Sequence, residues 1–252
     1  MRKNDIQPKD ILLALVLLTR LPLPQLPPQA FHRQAKAVWA FPLAGLAVAL
    51  PAVLLAALAL AAGLPAMVAA GLALAVQVML TGAMHEDGLA DTADGLWGGF
   101  TRERRLEIMR DSRIGAYGVI ALILGLGLRW SGLAALIESA GVWPLLALTM
   151  LSRAVMPVVM AALPNARSAG LSQTVGRPGT LPCLLAAGLA ICLSLPLVGG
   201  TAFAAALAMG VAAAGLGLVA KAKIGGQTGD ILGASQQVAE IAGLLTLLAL
   251  CS

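Results

Sequence analysis

The sequence has few charged residues, few aromatic residues and few cysteines. Of its 252 residues, 12% are charged and 4% are aromatic, whereas 59% are hydrophobic, and the mean hydropathy is +0.89. Charged residues make up about 25% of a typical soluble domain, so this composition excludes a soluble protein and indicates a membrane protein. The three cysteines lie in apolar segments without CxxC spacing, which is typical of small buried side chains rather than of a redox or zinc site.

The excess of positive charge does not indicate a nucleic-acid-binding protein. The net charge is +5 and the isoelectric point is near 9.6, but the arginines flank apolar blocks and have hardly any aromatic residues between them. This arrangement is typical of a chain whose basic residues orient it in a membrane. We therefore expect no nucleic-acid partner and a lipid bilayer as the surroundings.

The apolar residues come in blocks of about 20, the length that crosses about 30 Å of hydrocarbon. Because lipid offers no hydrogen-bond partners to the backbone, such blocks are predicted to be helices. We predict an all-α, polytopic membrane protein that forms a single integral membrane domain over residues 1–252, with an N-terminal interfacial segment over 1–36. Seven spans are predicted, at 37–62, 66–84, 114–137, 143–163, 181–199, 202–220 and 231–250.

Basic residues are concentrated on one side of the predicted bundle. If the N-terminus is cytoplasmic, the segments on that side contain 15 of the 17 basic residues; they are 1–36, 85–113, 164–180 and 221–230. The linkers on the other side contain none; they are 63–65, 138–142 and 199–201. Because cytoplasmic loops collect Lys and Arg, the pattern predicts that segment 85–113 faces the cytoplasm.

Acidic residues are also concentrated in this segment. Seven of the twelve carboxylates lie within residues 86–111; they are Glu86, Asp87, Asp91, Asp94, Glu103, Glu107 and Asp111. Like charges repel, so the crowding indicates a positive partner, either a divalent metal or the local arginines. On a helix, the offsets of Asp87, Asp91 and Asp94 place them within about 60° of one another. Carboxylates that hold Mg²⁺ together with substrate phosphates are typical of phosphoryl transfer; the alternative is a solvated, ion-paired helix face.

Further residues beside or within the spans are candidates for the same chemistry. His85 can act as a general base, a ligand or a phosphate contact, or as a capping residue. Arg110 and Arg113 can bind phosphates or merely orient the helices. Arg153 lies within an apolar span, where a charge is a functional candidate by default, although Glu240 can be its partner.

A glycine-rich segment precedes the last predicted span. Gly225-Gly226-Gln227-Thr228-Gly229-Asp230 offers backbone N–H groups, a hydroxyl and a carboxylate on the same predicted side as the acidic helix. Such a segment is either a phosphate or metal contact or simply a connector. The residues that would make the contact are Gly225, Gly226, Thr228 and Asp230.

Three motifs together resemble the cobalamin synthase family, adenosylcobinamide-GDP ribazoletransferase. They are His85-x-Asp87-Gly88-Leu89-Ala90-Asp91-Thr92-x-Asp94-Gly95, then Ile108-Met109-Arg110-Asp111-Ser112-Arg113-Ile114-Gly115, then Gly225-Gly226-Gln227-Thr228-Gly229-Asp230-x-Leu232-Gly233-Ala234. Shorter matches, such as Thr19-Arg20-Leu21-Pro22 and Ser152-Arg153, extend the resemblance over nearly the whole chain.

The resemblance implies an inner-membrane, Mg²⁺-dependent transferase. Such an enzyme joins adenosylcobinamide-GDP to alpha-ribazole, or to its 5′-phosphate, and releases GMP. Combined with the acidic helix, it predicts catalytic roles for His85, Asp87, Asp91 and Asp94, and Mg²⁺ held by these three aspartates and Asp111. Arg110, Arg113, Arg153 and the glycine-rich segment would then bind substrate phosphates.

Two other functions remain alternatives at this point. One is an ion-coupled transporter, although transporters carry their acidic residues near the bilayer midplane. The other is a non-catalytic membrane subunit that docks other enzymes of the cobalamin pathway. Further partners left open are a second copy of the chain and those pathway enzymes.

Overall fold

The computed structural model describes residues 6–167 and 175–251, and this part of the chain is helical without strands. Short 3₁₀ turns, Pro28–Arg33 and Val38–Ala40, connect the first helices. The helices are α1 (Lys9–Leu18), α2 (Gln34–Ala37), α3 (Phe41–Ala61), α4 (Ala66–Thr81), α5 (Met84–Gly98), α6 (Arg102–Ile108), α7 (Ala116–Ala140), α8 (Pro144–Ala162), α9 (Thr180–Val198), α10 (Thr201–Ile224) and α11 (Gly229–Cys251).

The predicted all-α, polytopic membrane architecture is confirmed. Within the described ranges, six helices are long and apolar enough to cross a membrane: α3 with the turns before it, α7, α8, α9, α10 and α11. The pair α4 and α5 is bent by 85° and brings the number of crossings to as many as seven. We place α5 outside the spanning segments, because it carries the charged motif and turns away from the direction of α4.

The helix boundaries differ from the predicted spans by a few residues. The largest differences are at α3, which begins at Phe41 instead of at 37, and at α10, which continues to Ile224 instead of ending at 220. α4 ends at Thr81 instead of at 84. α10 is longer because Lys221 and Lys223 extend its last turn, where positive side chains interact favourably with the helix dipole. α4 is shorter because Gly82 ends it with a left-handed conformation.

Small residues allow the helices to pack closely around α8. Most of its side chains are buried, and its neighbour α3 contributes mainly alanines to the shared core. Gly45 of α3 permits a close approach to α8: a side chain there would collide with the carbonyl oxygen of Thr149 and lie 2.9 Å from Arg153 Cδ. Small residues at such contacts are typical of membrane helices, which gain van der Waals contact from close approach.

An ion pair attaches the N-terminal segment to the bundle. Asp10 of α1 is fully buried and accepts hydrogen bonds from Arg33 Nε at 2.8 Å and from Trp39 Nε1 at 3.2 Å. Burial by itself would raise the pKa of Asp10, but these hydrogen bonds and one from the backbone N–H of Gln7 lower it below its usual value. At ten residues, α1 is too short to span, as the sequence predicted.

The charged segments meet at one end of the bundle. Arg102 of α6 donates to the carbonyl of Ile224 at 2.8 Å, and Arg105 donates to the carbonyl of Lys223 at 3.1 Å. Lys223 in turn donates to the carbonyl of Leu96 in α5 at 2.7 Å. These contacts join α5, α6 and the end of α10, so segments that are far apart in the sequence form one polar surface.

Candidate active site

A sharp bend separates the charged helix α5 from α4. Gly82 and Ala83 form the bend with φ angles of +65° and +57°, and the Ala83 N–H donates to the carbonyl of Val78 at 2.9 Å. This left-handed end with a bond that reaches back five residues is a Schellman motif. Because of the bend, α5 runs across the polar end of the bundle, and its two long faces meet different surroundings.

The outer face of α5, which we define by Asp87 and Asp91, carries two carboxylates one turn apart. Asp87 is exposed and Asp91 is half-buried. A third carboxylate, Asp230, lies in the first turn of α11, which packs directly against α5. A side chain at Gly88 would lie 2.8 Å from the carbonyl oxygen of Asp230, so this glycine permits the close approach. We refer to Asp87, Asp91 and Asp230 as the carboxylate cluster.

The electrostatics of Asp91 show that the cluster is crowded with negative charge. Burial raises the pKa of Asp91 to about 7, and three neighbouring carboxylates act in the same direction: Asp87, Asp230 and Asp94. Arg167 is the one nearby cation that acts against them to any notable extent among the described residues. A cation at this position would therefore relieve repulsion that the protein leaves largely uncompensated.

Arg167 and Thr228 contact the cluster at Asp230. Arg167 Nη1 lies 3.2 Å from Asp230 Oδ2, and the Thr228 hydroxyl donates to the same oxygen at 3.1 Å. Thr228 Oγ1 also accepts from the N–H of Ile231 at 3.3 Å, which caps the first turn of α11. The cluster is thus tied to the beginning of a helix, where backbone N–H groups favour negative charge.

The glycine-rich segment holds the loop that carries Arg167. Gly226 packs against the carbonyl of Pro164 so closely that no side chain would fit. Gln227 donates from its backbone N–H to Pro164 O, and Ala166 donates to Gln227 O, both at 2.8 Å. Gly225 ends α10 with φ of +82°. In this structure the two glycines join the loops at residues 163–167 and 225–230 and thereby place Arg167 beside Asp230.

Asp94 has a different environment from the other two aspartates of its helix. It is 7% exposed, and its two oxygens accept hydrogen bonds from the backbone N–H groups of Gly115 at 2.7 Å and Gly118 at 2.8 Å. These groups belong to the first turn of α7, where a carboxylate is stabilised by the helix dipole. Both oxygens of Asp94 are engaged in fixing α7 to α5.

The inner face of α5 joins a buried polar network, which consists of Gln77, Glu86, Arg129, Ser152, Arg153, Gln236, Gln237 and Glu240. Arg129 Nη1 lies 2.8 Å from Glu86 Oε1, and its Nη2 lies 2.7 Å from Glu240 Oε1. Arg153 Nη1 lies 3.0 Å from the other oxygen of Glu240. Two arginines and two glutamates thus balance each other among α5, α7, α8 and α11.

His85 and Arg153 lie on this inner side. Arg153 is paired with Glu240, as the sequence suggested as an alternative to a substrate role. His85 is 1% exposed, and neither ring nitrogen has a hydrogen-bond partner among the described residues. It lines a cavity of about 60 Å³ bordered by Phe41 and Met156. Burial lowers the pKa of His85 to about 3, with Arg153 acting in the same direction, so the imidazole is neutral.

Asp111 and Arg113 pair with each other after α6. Arg113 Nη2 lies 2.8 Å from Asp111 Oδ2 on an exposed segment, and the hydrogen bonds from Arg113 lower the pKa of Asp111. Asp111 is not among the carboxylates that act on Asp91. Arg110 is exposed and lines a groove between α6 and the loop that carries Arg167.

The family model for cobalamin-5-phosphate synthase matches residues 10–248, which is nearly the whole chain. The chain belongs to the cobalamin-5-phosphate synthase family. It is 47% identical over 241 residues to the adenosylcobinamide-GDP ribazoletransferase of Bradyrhizobium diazoefficiens, a match that covers 94% of this chain and 92% of the relative. It is 43% identical to the protein of the same name from Rhizobium meliloti, with 93% and 94% covered. No solved structure matches the chain significantly.

Membership of the cobalamin-5-phosphate synthase family agrees with the resemblance found in the motifs and makes the chain a transferase of cobalamin synthesis. The transporter and the docking subunit are therefore not supported. The structure gathers Asp87, Asp91, Thr228 and Asp230 at one place. It puts Asp94 at the start of α7, and His85 and Arg153 on the opposite side of α5.

The donor set of this family member suits Mg²⁺ only in part. In residues 6–167 and 175–251, no group of three or more His, Cys, Asp or Glu side chains is arranged as a ready-made metal site. Mg²⁺, however, is usually bound by one or two carboxylates, with waters and substrate phosphates completing its octahedron. Asp87 and Asp91, with Asp230 beside them, provide such an open set, and their mutual repulsion favours a cation.

The sequence did not lead us to two arginines, Arg129 and Arg167, that contact key carboxylates in the structure. Arg129 is fully buried and bonds both Glu86 and Glu240; its isolation within an apolar span was the same signal that drew attention to Arg153. Arg167 lies in the segment 164–180 between two apolar spans, where a basic residue is expected for orientation alone. No feature of the sequence indicated its contact with Asp230.

Proposed function

We propose that this transferase joins adenosylcobinamide-GDP to alpha-ribazole, or to alpha-ribazole 5′-phosphate, and releases GMP in a Mg²⁺-dependent reaction. The observation that supports this proposal best is the carboxylate cluster beside Arg167 at the polar end of the bundle. The names of the relatives specify the same donor and a ribazole acceptor. The proposed site is at the membrane surface, where a charged nucleotide is accessible from water.

The side chains of the cluster would bind the diphosphate and orient it. Asp87, Asp91 and Asp230 would hold Mg²⁺, which would offset the negative charge of the phosphates. Arg167 presents a planar guanidinium beside the same place, a shape that binds phosphate through two parallel hydrogen bonds. Together they would fix the phosphorus in the position required for attack.

Direct transfer is the simplest mechanism for these residues. The hydroxyl oxygen of alpha-ribazole forms a bond to the phosphorus that carries the cobinamide arm, and the bond between that phosphorus and the GMP oxygen breaks. A carboxylate of the cluster accepts the hydroxyl proton, and GMP departs with the electron pair of the broken bond. His85 is separated from the cluster by the body of α5, so in this arrangement it contributes to packing rather than to proton transfer.

Purified protein in liposomes tests the reaction directly. GMP release from adenosylcobinamide-GDP is expected only when Mg²⁺ and alpha-ribazole, or its phosphate, are both present, with one corrinoid product formed per GMP. Glu138→Gln is a suitable control, because Glu138 is an exposed carboxylate at the far end of α7 and its loss should leave turnover unchanged. Release of GMP without acceptor in a stoichiometric burst would contradict direct transfer, and no release under any condition would contradict the proposed reaction.

We also propose that the polar end faces the cytoplasm of a cell inner membrane. The support is the concentration of basic residues at that end, where α6 contacts the end of α10. Single cysteines at Arg104 and Ala140, both exposed, in a variant without native cysteines would report the orientation. A membrane-impermeant maleimide added to intact cells should label position 140 and not position 104; the reverse pattern would contradict the orientation.

A further inference from the structure

An arginine-lined groove lies next to the carboxylate cluster. It has a volume of about 490 Å³ and runs between α6 and residues 166–167. Three arginines line it, Arg102, Arg110 and Arg167, together with two exposed carboxylates, Glu103 and Glu107, of which Glu107 is paired with Arg104. The groove is on the polar surface and outside the spanning helices. Its volume falls within the range of about 300–1,000 Å³ that is common for small-molecule sites.

Arg167 belongs to both the groove and the cluster. Its Nη1 contacts Asp230 at 3.2 Å, and its Nη2 donates to the carbonyl of Leu106 in α6 at 3.2 Å. Its Nε is buried and has no hydrogen-bond partner among the described residues. A ligand whose diphosphate lies at the carboxylate cluster can therefore extend past the Arg167 guanidinium into the groove.

The other two arginines leave positive charge in the groove. Arg102 donates to two backbone carbonyls, those of Ile224 at 2.8 Å and Ala166 at 2.9 Å. These acceptors are neutral and fix the side chain without cancelling its charge. The side chain of Arg110 is exposed and makes no hydrogen bond or ion pair with the described residues. Guanidinium groups held without a carboxylate partner are well suited to bind an anion.

We propose that this groove binds the nucleotide half of the activated substrate, which leaves as GMP. The inference rests on the proposed function, because it assumes that the diphosphate binds at the carboxylate cluster. The two substituents of that diphosphate must extend in different directions. The nucleotide is anionic and polar, as the groove requires, whereas the corrinoid is far larger than the groove can hold. Arg167 would contact the phosphate, and Arg110 would contact the part of the nucleotide beyond it.

Binding of GMP to the detergent-solubilised full-length protein tests the proposal without turnover. Arg110→Ala should raise the Kd for GMP about 10-fold, the effect of losing about 1.4 kcal/mol of binding. Arg177→Ala is the control, because Arg177 is an exposed arginine whose Nε donates to the carbonyl of Ala161 and which does not line the groove. Its Kd for GMP should equal that of the wild type.

Steady-state kinetics supply a second readout. Arg110→Ala should raise the KM for adenosylcobinamide-GDP and leave the KM for alpha-ribazole unchanged. If the wild type releases GMP but Arg110→Ala binds GMP as tightly as the wild type, the groove is not the nucleotide site and the proposed function stands. If the wild type neither binds nor releases GMP, the proposed function fails and the groove proposal fails with it.

Discussion

The carboxylates on the two faces of α5 differ in whether nearby cations balance their charge. On the inner face, Glu86 lies 2.8 Å from Arg129, which also contacts Glu240, and the charges of the buried polar network cancel. On the outer face, Asp87 and Asp91 are joined by Asp230, and Arg167 is the nearby cation. α5 thus carries one carboxylate with balanced partners, Glu86, and two whose charge is not balanced, Asp87 and Asp91, about 100–140° away around the helix.

This difference in charge balance distinguishes carboxylates that stabilise the fold from carboxylates that are available to a ligand. A buried charge in a membrane protein is costly unless it is paired, so the balance of two arginines and two glutamates on the inner face is what folding requires. Charge that stays unpaired at the surface does not stabilise the fold and is retained for another purpose. The outer face is therefore the one that we propose as the binding site, and the inner face holds α5 in position.

The largest expected effect is the loss of turnover when the outer face is neutralised. Asp91→Asn should lower kcat about 100-fold or more, since it removes one placed electrostatic group from the site. Because the substitution also removes a repelled charge, the variant should unfold at the same temperature as the wild type or a higher one at pH 7. GMP-release assays and thermal unfolding in detergent measure the two effects. Full activity of Asp91→Asn would show that the cluster is a solvated helix face and not a binding site.

Breaking the inner network should instead destabilise the protein. Glu240 accepts hydrogen bonds from Arg129, Arg153, Ser152 and Gln236, and Glu240→Ala would leave two buried guanidinium groups without their shared partner. We expect a loss of about 3–5 kcal/mol in the free energy of unfolding. Denaturation followed by fluorescence measures it.

Glu86→Gln provides the matched comparison for that experiment. Glu86 Oε1 accepts from Arg129 and Gln237, while its Oε2 has no partner among the described residues. Glutamine retains one carbonyl acceptor in the same place, so this variant should lose less stability than Glu240→Ala. Equal losses would show that charge balance, and not the number of hydrogen bonds, determines the cost.

Asp94→Asn should have an intermediate effect on stability. Asparagine can replace only one of the two oxygens that accept from Gly115 and Gly118, and it removes the charge that interacts with the α7 dipole. The expected cost is about 1–2 kcal/mol. If Asp94→Asn abolishes Mg²⁺ dependence without loss of stability, Asp94 belongs to the metal site and its capping role is secondary.

The smallest effect concerns pH and the N-terminal ion pair. The pKa of Asp10 is lower in the folded protein than in the unfolded chain. Its contribution to stability is therefore present above the unfolded value, near 3.8, and is lost as the pH falls through the folded value. Proteolysis of the segment before α3 should therefore accelerate as the pH falls below about 3.8. Asp10→Asn should be cleaved faster at neutral pH and should show a weaker pH dependence.

The sequence predicted the spans and the acidic helix well because both depend on local patterns. Apolar blocks of membrane length identify helices, and the spacing of Asp87, Asp91 and Asp94 places them on one helix face. The different environments of these three aspartates depend on what packs against α5. Asp94 meets the first turn of α7, and Asp230 reaches Asp91 only because Gly88 admits the backbone of α11. Such pairings between distant segments leave no periodic signal in a single sequence.

The arginines illustrate the same limit. Arg153 and Arg129 are both isolated in apolar spans, and the pattern indicates that each needs a partner, but only the packed bundle shows that they share Glu240. Arg167 contacts Asp230 because the glycine-rich segment pairs with its loop. A basic residue in a membrane loop gives no indication of such a contact.

Binding of Mn²⁺ as a substitute for Mg²⁺ is the most direct test of the division between the two faces of α5. Electron paramagnetic resonance spectroscopy can measure it with the purified protein in the presence and absence of GDP. We predict that the wild type and Glu86→Gln bind Mn²⁺ with the same affinity and that GDP strengthens binding in both. Asp91→Asn and Asp230→Asn should weaken binding at least about 10-fold, the equivalent of about 1.4 kcal/mol. Unchanged Mn²⁺ binding in both aspartate variants, or its loss in folded Glu86→Gln, would contradict the assignment of the metal to the outer face.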